Sequence, residues 1–123
     1  MEIQVSQEQG EAPVTLFKII GRINLGNAHE LEQKGREAHQ AGTRNLLIDL
    51  SEVESITSAG LRAILAVYKL LGSVSTESGG GDPKSSRLKL LNPSPYVSKV
   101  LTTAGFTSFI DIHTSLDEAI SAF

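Results

Sequence analysis

The sequence predicts an α/β domain in which a mixed, largely parallel sheet of four to five strands packs against about four helices. After two strand-like segments at the amino end, helix-like and strand-like segments alternate, in the order ββαβαβαβα. In the middle, residues 46–50 (LLIDL) form an apolar run broken only by one aspartate, which is typical of an interior parallel strand covered on both faces. Alternation of this kind favours parallel strands joined by right-handed crossovers.

Length and composition limit the domain count and the class of protein. The chain has 123 residues, of which 40% are hydrophobic, so we expect residues 1–123 to form a single domain with its own core. No apolar stretch approaches the roughly 20 residues that cross a bilayer, and the amino end lacks a signal-peptide pattern. We therefore predict a cytoplasmic protein that does not insert into a membrane.

The residue types that are absent or rare exclude several functions. Cysteine is absent, which excludes disulfides, thiol catalysis and cysteine-based metal sites. Tryptophan is also absent, aromatic residues make up 5% and the formal net charge is −3, a composition that argues against nucleic-acid binding. His29 and His39 lie on one predicted helix, about 15 Å apart along its axis, and cannot share a metal ion. We expect no metal site, no cofactor and no catalytic residue.

The first part of the chain predicts a hairpin followed by a helix. Residues 2–7 and 14–20 are strand-like, and the polar segment between them contains glycine and proline, which favour a turn. A helix at about residues 27–42 follows. Asn27 can cap it, and Glu30 stands at the spacing of a capping box.

The central part predicts a second strand and helix. After the apolar run comes an acidic segment at residues 51–54, which indicates a short connector. The helix predicted at residues 58–71 is apolar nearly all round, and only Arg62 and Lys69 mark a polar line along it. A helix this apolar is either deeply buried or offers part of its surface to a partner.

The last part begins with a segment of low complexity. Residues 72–86 (GSVSTESGGGDPKSS) are small and polar without periodicity, which predicts a flexible Gly/Ser-rich loop inserted within the domain. Beyond it we predict a strand at residues 87–91, a helix at 94–104, a short strand at 109–112 and a last helix capped by Thr114.

Two hydroxyl side chains stand at the predicted start of the apolar helix. Thr57 and Ser58 occupy the place of an N-cap, where such side chains are common because their oxygens accept hydrogen bonds from free backbone N–H groups. A plain helix cap is therefore the simplest interpretation of Ser58. A phosphate there would be tolerated by the positive end of the helix dipole, so a modification site is the alternative.

Several segments of the chain together form a known pattern. Residues 48–53 read IDLSEV and residues 56–61 read ITSAGL, while the turn at 21–24 reads GRIN and residues 90–94 read LLNPS. In this order and spacing they resemble the STAS domain, and specifically the bacterial anti-sigma-factor antagonists. That family's pattern after the central strand is LDLS-x-V-x-x-hydrophobic-Asp-Ser-Ser/Ala-Gly-Leu. The resemblance covers nearly the whole chain except residues 72–86.

The resemblance implies a STAS fold and a protein–protein switch controlled by phosphorylation. In that family the unphosphorylated antagonist binds an anti-sigma factor, often a serine kinase, and so frees a sigma factor. The kinase phosphorylates a serine, which releases the antagonist, and a serine phosphatase reverses this. By position that serine is Ser58, and Thr57 offers a second hydroxyl. The implied partner surface consists of Asn24, Thr57, Ser58, Ala59, Gly60 and Arg62.

Two positions depart from the family's pattern. Thr57 and Asn24 stand where the family usually has aspartate, so two carboxylates that would face the partner are absent. One alternative is therefore a STAS module without phosphorylation, acting as a subunit of a regulatory scaffold or of a lipid-transport complex. Another is a small-ligand or nucleotide-binding domain, although the three glycines at residues 79–81 lack the order of a phosphate-binding loop.

Overall fold

The computed structural model describes residues 1–10, 12–71 and 87–123. Within these residues, five strands and four α-helices follow one another as the sequence predicts, and one 3₁₀ helix that it does not predict lies between α3 and β5. In chain order they are β1 (Glu2–Gln9), β2 (Pro13–Ile23), α1 (Ala28–Gln40), β3 (Leu46–Ile56), α2 (Ser58–Leu70), β4 (Leu88–Leu91), α3 (Pro95–Thr103), the 3₁₀ helix (Phe106–Ser108), β5 (Asp111–His113) and α4 (Leu116–Ser121). The loop predicted at residues 72–86 lies outside the described residues.

The strands form one sheet in the order β1-β2-β3-β4-β5. β1 and β2 pair as an antiparallel hairpin, whereas β3, β4 and β5 are added one after another in parallel. A short turn is enough to join antiparallel neighbours, but each parallel pair needs a longer crossover, in which the helices lie. The predicted α/β class and the mixed, largely parallel sheet are confirmed.

Apolar side chains cover the two faces of the sheet unequally. On one face, alternate residues of β2, β3 and β4 pack against α1, α2 and α3 and form the main core. On the other face a smaller cluster joins Val14, Leu47 and Leu91 to Ala119 of α4. Because β3 and β4 contribute to both clusters, consecutive residues of each strand are buried, as the apolar run at residues 46–50 indicates.

β3 is longer than the sequence predicts. The strand continues through the acidic segment at residues 51–54, so the interpretation of that segment as a connector is wrong. Val53 within it is buried, while Glu52 is exposed and pairs with Lys18 of β2 at 2.7 Å between Nζ and Oε2. The hydrogen bond to Glu52 and the attraction of its charge raise the pKa of the Lys18 ammonium above its ordinary value. The acidic residues are thus the solvent side of a paired strand.

Two predicted boundaries near the carboxyl end are also wrong. β5 begins at Asp111 and not at residue 109, because Phe109 follows the 3₁₀ helix and packs its ring edge-on against Tyr68, with 5.1 Å between ring centroids. α4 is capped by Ser115 and not by Thr114, since the hydroxyl oxygen of Ser115 accepts a hydrogen bond from a backbone N–H of the first turn. Both changes amount to one or two residues and leave the element order intact.

Helices α1 and α2 approach each other closely at Gly35. A Cβ atom at this position would lie 2.7 Å from Cγ2 of Val67, closer than real Cβ atoms come to their neighbours. We expect Gly35→Ala to lower the free energy of unfolding by about 1 kcal/mol, since overpacking outweighs the gain in helix propensity. Urea unfolding should show this penalty disappearing in a Val67→Ala background. The same penalty in both backgrounds would contradict the packing argument.

Candidate functional site

The predicted site residues meet at the carboxyl edge of the parallel sheet. β2 and β3 run side by side, and their last paired positions join Arg22 to Ser55 and Ile23 to Ile56. The turn from β2 to α1 and the junction from β3 to α2 therefore lie next to each other, as parallel strands require. The backbone N–H of Thr57 donates to the carbonyl oxygen of Ile23, with 3.0 Å between nitrogen and oxygen, and ties the junction to the end of β2.

Thr57 and Ser58 form the start of α2, and both are exposed. Thr57 occupies the N-cap position with an extended backbone, yet its side chain makes no capping hydrogen bond and its hydroxyl donates instead, at 3.4 Å, to the carbonyl oxygen of Ile23. Ser58 is the first helical residue, and its hydroxyl has no hydrogen-bond partner in the described part of the chain. The interpretation of Ser58 as a plain N-cap is therefore wrong, and its hydroxyl is accessible to solvent.

The electrostatic surroundings of Ser58 favour an anion. The first turn of α2 carries no acidic side chain, so nothing there offsets the partial positive charge of its free N–H groups. Arg62 is exposed one helical turn after Ser58. Nearby, the exposed Arg22 already pairs with Glu54, at 3.6 Å between Nε and Oε1. The start of α2 is thus neutral to weakly positive.

Asn24 and Asn27 hold the turn from β2 to α1. Oδ1 of Asn24 accepts a hydrogen bond from the N–H of Gly26 at 3.0 Å, and the N–H of Asn24 donates to Oδ1 of Asn27 at 2.9 Å. Nδ2 of Asn27 donates to the carbonyl oxygen of Arg22 at 2.9 Å. Asn27 is the N-cap residue of α1, as the sequence predicts, but its side chain makes no capping hydrogen bond because it holds the turn against β2.

Asn24→Asp introduces the carboxylate that the STAS pattern has at this position, and we expect the turn to keep its hydrogen bonds. An aspartate oxygen would accept the same hydrogen bond from Gly26, so we expect Asn24→Asp to change the free energy of unfolding by less than about 0.5 kcal/mol. Chemical denaturation measures this change. A loss above about 1 kcal/mol would show that the amide nitrogen of Asn24 holds the turn.

Gly60 supports the site from beneath. It is buried, and a Cβ atom there would lie 2.7 Å from Cγ1 of Ile56 and 2.8 Å from Cγ2 of Ile23. The first turn of α2 therefore rests directly on the last residues of β2 and β3. Gly60 sets the position of Ser58, and it has little surface of its own to offer a partner.

A groove of about 400 Å³ lies between α1 and α2, and Ala59, the residue after Ser58, lines it. Arg62 borders the groove on α2, and Leu25 of the neighbouring turn borders it with 79% of its surface exposed. Sequence reasoning missed Leu25 as a site residue. The signal that could have found it is a large apolar side chain placed between Asn24 and Gly26 in a predicted turn.

The described residues contain neither a cluster of metal-ligating side chains nor a helix that could span a membrane. Within residues 1–10, 12–71 and 87–123, no group of three or more His, Asp or Glu side chains is placed to hold a metal ion. No helix in that part of the chain is both long enough and apolar enough to cross a membrane.

Comparison with known sequences identifies the family. The family model described as "Mlab, STAS domain" matches residues 6–112, which include both the turn at Asn24 and the start of α2. The chain belongs to the STAS domain family. A relative from Bordetella bronchiseptica, named "Putative anti-sigma factor antagonist BtrV", is 33% identical over 103 residues, which make up 84% of this chain and 80% of that protein. This STAS domain is thus a member of the anti-sigma-factor antagonist family.

Solved structures share the fold of this STAS domain. An anti-sigma factor antagonist from Mycobacterium paratuberculosis matches with a TM-score of 0.71 and 24% identity, over 96% of this chain and 91% of that one. The Bacillus cell fate determinant SpoIIAA in its phosphorylated form matches with a TM-score of 0.66 and 20% identity, over 97% and 96% of the two chains. Its unphosphorylated form matches with a TM-score of 0.65 and 19% identity, over 95% of this chain and 92% of that one. The predicted STAS fold is confirmed.

The STAS fold brings the residues predicted for the partner surface to one edge, although their part in binding stays a prediction. Gly60 differs from the others because it is buried between the first turn of α2 and the sheet. The exposed or partly exposed members are Asn24, Thr57, Ser58, Ala59 and Arg62.

Proposed function

We propose that this STAS domain binds an anti-sigma factor while Ser58 is unphosphorylated, and thereby frees a sigma factor. The anti-sigma factor, acting as a serine kinase, phosphorylates Ser58 and so ends the interaction, and a serine phosphatase restores it. The observation that carries the proposal is the exposed Ser58 hydroxyl, without a hydrogen bond inside the described chain, at the first position of α2. In this role the chain is a substrate of other enzymes and catalyses no reaction itself.

The switch acts through charge and volume. Phosphorylation adds about 1.5 to 2 negative charges and three acceptor oxygens at Ser58. The neighbouring side chains of Asn24 and Thr57 are neutral, so a partner surface that fits them has no need of a cation at this point. Such a partner would meet an unpaired charge that must be desolvated, and its affinity falls.

The fold itself is expected to tolerate the phosphate. The start of α2 favours an anion, since its free N–H groups are there and no acidic side chain of the first turn competes for them. The fold of this chain is equally similar to both forms of SpoIIAA, with TM-scores of 0.66 for the phosphorylated and 0.65 for the unphosphorylated form. This supports a switch that alters a surface and leaves the fold in place.

Phosphorylation mapping tests the modified residue. The chain is incubated with ATP and the purified serine-kinase anti-sigma factor of the same organism, and modified residues are identified by mass spectrometry. We expect phosphate on Ser58 in the wild type and in Thr57→Ala, and none in Ser58→Ala. Phosphate found only on Thr57 would show that Thr57, and not Ser58, is the modified residue.

Binding measurements test the consequence. Ser58→Asp is expected to weaken binding to the anti-sigma factor by about tenfold or more, because a charge at this position opposes the contact. Ser58→Ala should keep wild-type affinity, since it removes the hydroxyl without adding charge. The proposal fails if Ser58 is never modified and Ser58→Asp binds as tightly as the wild type.

Ser58→Asp is expected to leave the fold intact while it weakens binding. A carboxylate at the first position of α2 interacts favourably with the helix dipole, so the free energy of unfolding should stay the same or rise by about 0.3–1 kcal/mol. Thermal unfolding of Ser58→Asp beside Ser58→Ala measures this difference. A marked destabilisation by Ser58→Asp would attribute the loss of binding to unfolding instead of to the surface.

The neutral side chains at Thr57 and Asn24 favour one second candidate. In that candidate the STAS domain is a subunit of a regulatory scaffold or of a lipid-transport complex and is not phosphorylated. Tight binding to purified scaffold or transporter subunits, with Ser58 unmodified by every kinase tested, would select it. Binding that depends on the state of Ser58 selects the switch.

A further inference from the structure

Small apolar side chains line the groove between α1 and α2, and phosphorylation of Ser58 does not by itself require them. The groove runs along the start of α1 and along α2 as far as Ala66, and it has a volume of about 400 Å³. Its apolar lining comes from four small side chains, two of them buried and two partly exposed. These are Ala28, Ala59, Ala63 and Ala66, and we name the feature the alanine groove after them.

The packing of the two helices accounts for the alanine groove. Further along the helices, α1 and α2 are in direct contact where Gly35 meets Val67. Toward the helix starts, the alanine side chains are too short to fill the space between the helices. Leu25 stands at the border of this space with 79% of its surface exposed, the highest value among the large apolar side chains of the described chain. Leu25 and the four alanines thus line the same groove, next to a predicted modification site.

Opposite charges stand on the two rims of the alanine groove. Glu32 lies on the α1 rim. Its only ion pair in the described chain is an exposed one with Arg36 of its own helix, with 3.4 Å between Oε1 of Glu32 and Nη2 of Arg36. Exposed pairs of this kind contribute little, so Glu32 remains available to a partner. Arg62 lies on the α2 rim, is exposed and forms no ion pair within the described residues. The rims therefore favour a partner with a basic side chain on one side and an acidic one on the other.

We propose that the alanine groove receives an amphipathic helix of the anti-sigma factor, a step that rests on the proposed function. A large apolar side chain of that helix enters the groove, a basic residue faces Glu32 and an acidic residue faces Arg62. A helix suits this site better than a strand, because beyond the first turns of α1 and α2 the backbone groups are satisfied within the helices and cannot pair with an extended chain. Ala59 lines the groove directly after Ser58, so the same partner helix meets the phosphate at the end of the groove.

Filling the alanine groove tests the proposal. Ala66 lies two helical turns beyond Ser58, about 12 Å along the helix axis, so Ala66→Phe occupies the groove without touching the modification site. We expect Ala66→Phe to weaken binding to the purified anti-sigma factor by about tenfold or more in titration calorimetry. The matched control is Ala104→Phe, an exposed position at the end of α3 outside the groove, which should keep wild-type affinity.

Two surface variants guard against a folding artefact. Leu25→Ser and Arg62→Glu change exposed side chains, so both should unfold at the wild-type temperature and yet bind the anti-sigma factor more weakly. If Ala66→Phe and Leu25→Ser bind like the wild type while Ser58→Asp does not, the groove proposal is overturned and the switch stands. Equal weakening by Ala66→Phe and Ala104→Phe also overturns it. If the wild type binds no purified anti-sigma factor of its organism, the proposed function fails and the groove proposal fails with it.

Discussion

Replacing Asp111 with alanine should lower the free energy of unfolding by about 3 kcal/mol, because it leaves the ammonium group of Lys89 charged in a buried position. The Lys89 side chain is only 4% exposed, and its Nζ lies 3.0 Å from Oδ2 of Asp111. The same Nζ lies 5.3 Å from the ring centroid of Phe123. Asp111 is 32% exposed, so we take the lower end of the cost of breaking a buried ion pair.

Replacing the other partner of the ion pair, Lys89, should lower the free energy of unfolding far less. Lys89→Met places an apolar chain of similar length beside Leu47 and Leu91, while the partly exposed Asp111 can be hydrated. We expect Lys89→Met to lie within about 1 kcal/mol of the wild type, and the double variant to be more stable than Asp111→Ala alone. Guanidinium chloride unfolding of both single variants and of the double variant measures these values. Equal costs for the two single variants would contradict the claim that the buried charge is the cause.

Gly60→Ala should destabilise the protein by about 2 kcal/mol, because the added methyl group overpacks the contact between α2 and the sheet. Its Cβ would lie 2.7 Å from Ile56 and 2.8 Å from Ile23, both of which are buried and branched at Cβ. Such side chains have few alternative rotamers, so relief requires a movement of the first turn of α2. That movement displaces Ser58, and we therefore expect weaker binding to the anti-sigma factor as well.

Gly26→Ala is the matched control for this prediction. Gly26 lies at the same edge of the sheet, but a Cβ atom there would meet only Oδ1 of Asn24, at an ordinary 3.4 Å. Its N–H would still donate to Asn24, so Gly26→Ala should leave stability unchanged or raise it by up to about 1 kcal/mol. Urea unfolding distinguishes the two variants. If Gly60→Ala proves as stable as Gly26→Ala, the first turn of α2 does not rest on β2 and β3 as tightly as described.

Most of the architecture could be predicted because it depends on local patterns. The hairpin follows from two strand-like segments around a turn, and the parallel sheet follows from alternating strands and helices. The start of α2 at Ser58 was predicted to the residue, since hydroxyl residues precede a long apolar run there. The same segment carries the STAS pattern, so the family could be recognised before the fold was known.

Two of the errors concern residues whose role depends on contacts outside their own element. The acidic segment at residues 51–54 resembles a connector until β2 lies beside it and Lys18 pairs with Glu52. Asn27 is a residue type that commonly caps helices with its side chain, yet that side chain forms hydrogen bonds with Asn24 and with Arg22 of β2. The contact between Lys18 and Glu52 joins two strands that are far apart in the sequence. The Asn27 contacts span only three and five residues, but they depend on how the chain turns after β2, which spacing does not specify.

The sequence by itself determined the α/β class, the STAS family and the place of Ser58 at a helix start, since periodicity and local motifs specify these features. Only the tertiary structure decided that the Ser58 hydroxyl has no hydrogen bond within the described residues, that Gly60 is buried and that the alanine groove opens next to them. Neighbouring elements decide whether a hydroxyl finds a hydrogen-bond partner. They also decide whether the space beside a small side chain is filled. That packing is set by the register of β2 with β3 and by the approach of α1 to α2, which no local pattern specifies.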